Sequence, residues 1–192
     1  MHGREWKRVV LMVFAWAVAT ALPAHAQLIS GPAAIDLGVN YVADIANAHP
    51  GACGCFAMQG GGVNAALKIN SHVALAADFT VVNTNTVSGA NYGLGLMTIM
   101  AGPQLKLPAG RYTPYAQILF GAVHGFNSVF PGNAGSTANG FAVEMGAGSE
   151  LRLNRRFSLR LLEADYMRTN LPNNVNNWQN HLKIATGLIY HF

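Results

Sequence analysis

Ionisable side chains are scarce in this 192-residue chain, about a tenth of the total. Most of them sit at even spacing inside otherwise apolar runs. Glu144, Glu150 and Arg152 share one parity, Glu163 and Asp165 share another run with Arg160, and Asp36, Lys68, Asp78 and Lys183 stand singly in separate stretches. Six acids against four bases can neutralise one another if the fold gathers them, and charges taken out of water must be paired to be tolerated. The expected outcome is an interior filled by ion pairs. A set of acids and bases that exchange partners could also gate a narrow path for ions.

Two further groupings have residue types suited to chemistry. Cys53 and Cys55 are one residue apart, and in an oxidising compartment two such thiols can join, closing a small strained ring that is comparatively reducible. His49 lies nearby, but two thiols and one imidazole at uneven spacing fall short of the four-ligand metal patterns. A stiffened loop tip is therefore expected, with no metal and no cofactor. His124 and Ser128 are the close candidates for a base and a nucleophile. They sit four apart at the end of an apolar run, with neither a Gly-x-Ser-x-Gly elbow nor a His-x-Ser pattern around them. His124 is expected to be an interfacial aromatic, as His191 and Tyr190 are at the opposite rim, and the protein is expected not to be an enzyme.

The elements that must position these residues alternate with period two. The last stretch, His181–Phe192, sets Leu182, Ile184, Thr186, Leu188, Tyr190 and Phe192 on one face and His181, Lys183, Ala185, Gly187, Ile189 and His191 on the other. The same pattern predicts strands at Ile35–Tyr41, Gly62–Ile69, Val73–Val81, about Tyr92–Leu107, Tyr112–His124, Phe141–Leu153 and Phe157–Thr169. In the fourth of these, Gln104 and Lys106 share a face opposite Leu105 and Leu107, and in the fifth Gln117 points inward. Along Phe157–Thr169, Arg160 has the opposite parity to Glu163 and Asp165, so a regular strand would turn one charged set outward. A β-bulge near Leu161–Leu162 would return all three to one side.

The connections alternate in length. Asn70–His72, Pro108–Gly110 and Asn154–Arg156 are tight, whereas Ala43–Cys55, Asn83–Asn91, Gly125–Asn139 and Asn170–Asn180 are longer and rich in Asn, Gly, Ser, Thr and Pro. Ahead of the strands, Arg4, Lys7 and Arg8 precede the apolar run Val9–Leu22, and Ala24-His25-Ala26 has the form of a cleavage site. Residues 1–26 are therefore expected to be a cleaved signal peptide, since the apolar run is short of the roughly 20 residues that span a bilayer as a helix. Residues 27–192 form the remaining domain. Without the leader, nine basic and seven acidic residues leave a net charge of +2, which gives no reason to expect nucleic acid as a partner. Eight antiparallel strands with short turns at one end and long loops at the other is the plan of an up-and-down transmembrane β-barrel, its apolar face toward lipid. A soluble eight-stranded barrel would need polar residues where this chain has Val, Leu, Phe and Met.

Across residues 27–192 the chain resembles the small OmpA-like outer-membrane β-barrel proteins of bacteria. Its final Gly187, Tyr190 and Phe192 resemble the signal by which the barrel-assembly machinery recognises a last strand, although Ala185 stands where a polar or basic residue is often found. The resemblance implies export by the Sec route to the outer membrane, contact with its lipid and lipopolysaccharide, and assembly with the help of periplasmic chaperones. It implies a structural or surface-binding role for the long loops, with Phe126, Phe130 and Trp178 as exposed anchors, and no periplasmic peptidoglycan-binding domain is expected to follow. The alternatives it leaves are a narrow gated ion channel and an enzyme acting on lipid A.

Overall fold

The computed structural model describes residues 34–47, 55–87, 93–130, 135–173 and 175–192. The expected signal peptide, His49 and Cys53 lie outside the described residues; Cys55 is the exposed first residue of the second strand. Eight strands follow one another: β1 Ile35–Asn47, β2 Cys55–Lys68, β3 Val73–Thr84, β4 Leu94–Lys106, β5 Tyr112–Phe126, β6 Ala138–Arg152, β7 Phe157–Thr169 and β8 Gln179–His191. Each pairs antiparallel with the next, and β8 pairs back onto β1, from Asp36 opposite His191 to Ala46 opposite His181, closing an eight-stranded barrel. Every edge is thereby paired, which removes the unsatisfied backbone groups that an open sheet would expose to lipid.

Period-two alternation becomes an outside and an inside. Val39, Ile99, Leu105 and Val63 are more than half exposed on the outer face, while Asp36, Asp44, Asp78, Glu144 and Asp165 are buried within. A soluble protein would reverse this arrangement, which is the one that a hydrocarbon solvent favours. Among the described residues no helix is long and apolar enough to cross a membrane, and here the strands are the spanning elements.

The strands on the long-loop side run further than their sequence pattern suggests. The expected loop Ala43–Cys55 loses Ala43–Asn47 to β1 and Cys55 to β2, leaving residues 48–54 as the connection. The pairing of Asn47 with Cys55 shows why: Asp44 and Ala46 continue the inward parity of β1, and Phe56 and Met58 meet it from β2. The other long connections are 85–93, 127–137 and 170–178, and the short ones 69–72, 107–111 and 153–156. Two short turns are held alike. The Oδ1 atoms of Asn70 and Asn154 each accept two backbone N–H bonds, from His72 and Val73 and from Arg156 and Phe157 respectively, at 2.8 to 2.9 Å. The third carries Gly110 at φ 64°, a conformation that glycine adopts without steric cost.

The bulge in β7 lies where the charge parity requires it. From Arg160 to Glu163 the chain advances three residues while β8 advances two, from Gly187 to Ala185, and on the other side the register with β6 shifts between Ser149 and Glu150. Leu161 and Leu162 both face outward, and Arg160, Glu163 and Asp165 all face in.

Candidate functional site in the barrel interior

Three polar groups and one apolar layer follow one another along the interior. At the short-turn end Asp36 is the hub. One carboxylate oxygen accepts from Lys68 at 2.7 Å and from His191 Nδ1 at 2.5 Å, and the other from Lys106 at 3.2 Å. Lys106 also reaches Glu150 at 3.2 Å, and Ser158 Oγ lies 2.7 Å from the Nε2 of His191. A cavity of about 210 Å³ opens beside these groups, lined also by Arg152, Thr113 and the 69–72 turn.

In the middle layer, Arg160 binds both oxygens of Glu163 at 3.1 and 3.2 Å across the β7 bulge and lies over the ring of Tyr115, whose hydroxyl donates to Glu163. Lys183 reaches Glu144 at 2.7 Å and Asp78 at 3.4 Å, and Thr80 donates to Asp78 at 2.7 Å. Asp165 accepts from Gln117, which in turn accepts from Gln104. The room for these side chains comes partly from glycine. A Cβ at Gly146 would sit 2.0 Å from Asp165 Oδ1, and one at Gly187 would sit 2.1 Å from the backbone oxygen of Val39 on β1.

A third polar group lies near the loop end, where His181 joins Asp44 at 3.0 Å and Thr169 at 3.1 Å, and Thr169 donates to Gln179. Around it the interior is apolar: Val42, Phe56, Met58, Val82, Leu96, Met100, Leu119, Val123 and Met167 pack together across the barrel. This apolar layer was not expected from the charge pattern.

Of the ten charged residues expected to face inward, Asp36, Asp78, Glu144, Glu150, Arg160, Glu163, Asp165 and Lys183 are buried there. Lys68 is partly exposed at the short-turn mouth, and Arg152 is exposed at the rim of the same mouth, because β6 ends at that residue. Lys106, Asp44, His181 and Tyr115 belong to the same networks but were missing from that set. For Lys106 the pattern predicts only a face of β4 shared with Gln104, and it places Asp44 in a loop. Gly187 is at the β8–β1 seam, and Tyr190 packs edge-on against Phe157 and Phe192 at 5.2 and 4.7 Å.

The structure does not join His124 and Ser128. His124 Nδ1 lies 2.7 Å from Asn139 Oδ1, its ring stacks on Phe126, and Ser128 is held through its backbone to Ser136. Nor are the three loop aromatics equally exposed, as was expected. Phe126 is half-buried at the end of β5, and Phe130 folds back onto the apolar layer, where its ring occupies the space that a Cβ on Gly125 would need. Trp178 is exposed, with the guanidinium of Arg168 4.3 Å above its ring. Val129 and Val175, not Phe126 and Phe130, carry the exposed apolar surface of their loops. Among the described residues no three acidic, thiol or imidazole groups cluster as metal ligands.

No protein-family model and no curated protein sequence matches the chain. Solved structures do. Neisserial surface protein A superposes with a TM-score of 0.64 at 15% identity, over 83% of this chain and 99% of that one. Ail, the attachment invasion locus protein of Yersinia pestis, gives 0.58 at 14% identity over 84% and 100%. The outer membrane protein OprG of Pseudomonas aeruginosa gives 0.53 at 13% identity over 83% and 96%. The fold is therefore that of the eight-stranded outer-membrane β-barrels, all-β and antiparallel throughout.

Proposed function

We propose that this chain is an outer-membrane protein whose barrel is closed to solutes and whose long loops serve a structural or surface-binding role. One observation carries this reading: buried charges contact one another toward the short turns, and apolar side chains pack across the barrel toward the long loops. An eight-stranded barrel is just wide enough for its own side chains, and an apolar layer across it opposes the entry of ions and water. With no path through the barrel, the loop end and the outer face are the surfaces that meet the cell exterior and the lipid. The outer face meets lipid and lipopolysaccharide, and assembly would involve periplasmic chaperones and the barrel-assembly machinery, with Gly187, Tyr190 and Phe192 as its signal.

The loops themselves suggest the chemistry of a partner. Residues 48–54, 85–93, 127–137 and 170–178 contain no Lys, Arg, Asp or Glu. In the last of them Asn173 Oδ1 accepts three backbone N–H bonds, from Val175, Asn176 and Asn177 at 2.8 to 3.0 Å, which fixes the loop and presents further amides. Ail has been crystallised with the heparin analogue sucrose octasulfate. A polyanion of that kind finds no cation on the loops here, and an uncharged hydrogen-bonding partner fits them better.

The test is expression with heat-modifiable gel migration of the membrane fraction, combined with proteolysis of whole cells. A band that shifts on boiling, with cleavage confined to the four long loops, is expected. A soluble or heat-insensitive product would overturn the reading.

A further inference from the structure

The geometry points to a Ser158–His191–Asp36 triad at the short-turn mouth of the barrel that hydrolyses short-chain acyl esters of anionic molecules. The three residues come from β7, β8 and β1 and meet because β8 closes the barrel against both neighbours. His191 Nδ1 lies 2.5 Å from Asp36 Oδ1, and Ser158 Oγ lies 2.7 Å from Nε2 on the other side of the ring. Lys68 and Lys106 bind Asp36 and hold it as an acceptor. Its contact then places the imidazole proton on Nδ1 and leaves the lone pair of Nε2 facing the serine hydroxyl, the tautomer that a general base needs.

A second hydroxyl–imidazole–carboxylate relay in the same barrel shows what a purely structural one looks like. Thr169, His181 and Asp44 make the same connections near the loop end, but the Thr169 hydroxyl already donates to Gln179, so it has no proton for His181, and Thr169 and Asp44 are wholly buried. Ser158, though also buried, differs in its partners and in the space beside it. Among the described residues its hydroxyl has no side-chain partner besides His191, and it lines the 210 Å³ cavity at the mouth.

That cavity sets the substrate class. At about 210 Å³ it is a small opening beside Ser158, suited to an acetyl-sized acyl group and the ester oxygen rather than to a long lipid chain. Lys68, Lys106 and Arg152 line it against the carboxylates of Asp36 and Glu150, so one positive charge is left over. Arg152 has no carboxylate partner among the described residues and stands at the exposed rim, where the anionic part of the substrate would rest. With the strand amides committed to the ladder, the charge that meets the oxyanion comes from these same cationic side chains.

The reaction follows from the contacts. Ser158 Oγ attacks the carbonyl carbon as its proton passes to His191 Nε2. The ester C–O bond breaks, and the leaving alcohol takes that proton. Water, deprotonated by the same Nε2, then attacks the acyl-serine; the bond to Oγ breaks, the proton returns to Ser158, and the free acid leaves.

The full chain refolded into phospholipid vesicles tests this with two probes, a fluorophosphonate and p-nitrophenyl acetate. The expected result is a covalent adduct on the peptide bearing Ser158 and ester turnover that falls at least about a hundredfold in Ser158→Ala and His191→Gln, with heat-modifiable migration retained and Ser128→Ala unchanged. An adduct on any other residue, no adduct at all, or equal turnover in wild type and Ser158→Ala would overturn the assignment. The adduct is read on the wild-type protein, so the test survives a variant that fails to fold.

Discussion

Arg160 is almost sealed from solvent and is held by both oxygens of Glu163 and by the ring of Tyr115. Taking away one member of such a buried pair strands the other and costs about 3–5 kcal/mol. Glu163→Ala is therefore expected to lower the unfolding free energy by about that amount, measured by urea titration of the protein in vesicles, whereas Glu163→Gln, which can still accept from Arg160 and Tyr115, should lose less. The inward direction of these charges was readable from parity, since an ionised group on the lipid face carries a penalty that lumen positions avoid. The partners were not readable. Lys106 lies 70 residues from Asp36 in the chain and 44 from Glu150, and it reaches both because β4 stands across the barrel from β1. The Ser158–His191–Asp36 contact was hidden for the same reason, with separations of 33 and 155 residues. The signal was nonetheless present: once β8 is set beside β1 and β7, three inward residues of suitable type fall at one end. Close neighbours in sequence offer His124 and Ser128, which the fold does not join.

The β7 bulge shows an element correcting its own sequence. Because side chains alternate strictly, a one-residue slip sends every following residue to the other face. Deleting Leu162 would remove the extra residue between Arg160 and Glu163, so either Arg160 or the pair Glu163 and Asp165 would face lipid, at about 2–4 kcal/mol for a basic residue near the midplane and less for an acidic one. That variant is expected to lose the heat-modifiable band, while Leu162→Ala, which keeps the residue count, should keep it; a retained band in the deletion would show that the register tolerates the slip. The bulge was legible because two charged sets of opposite parity in one strand admit few other resolutions. The extension of β1 and β2 to Asn47 and Cys55 was not, because Ala43, Ala46 and Gly60–Gly62 give little contrast between apolar and polar faces. The half-buried state of Phe130 likewise depends on Gly125 leaving room for its ring, which nothing local announces.

Across the whole molecule, charge is segregated along the barrel axis. The four long loops carry none, whereas Arg111, Arg152, Arg155 and Arg156 crowd the short-turn end and the interior between them holds seven acids against four Lys and Arg, with His181 and His191 each set on one of the acids. A ligand held by the loops themselves is accordingly expected to bind with little dependence on ionic strength, since they carry no Lys or Arg and the nearby Arg168 lies over Trp178; titration of binding between low and high salt checks this, and a steep loss of affinity would contradict it. Planar-bilayer recording should show no step conductance from the wild-type barrel. The apolar layer at the loop end, from Val42 through Met100 to Met167, is the part of this picture the sequence concealed. An inward Val or Met on a strand has the same parity as an inward Asp, so the spacing of charges does not reveal it.

The seam between β1 and β8 also brings the two ends of the barrel domain together. The Phe192 amide donates to the carbonyl of Ile35 at 3.0 Å, so residues 34 and 192 lie at the same rim. A covalent link there would span little distance, and new termini could be opened in any of the long connections without cutting a strand. The barrel is thus open to circular permutation: joining residue 192 to residue 34 through a few glycines and starting the chain within 85–93 should give the same cylinder with β4 first and β3 last. Such a protein would turn the present closing strand into an interior one and separate the role of its residues in the finished wall from any role they have as a chain end.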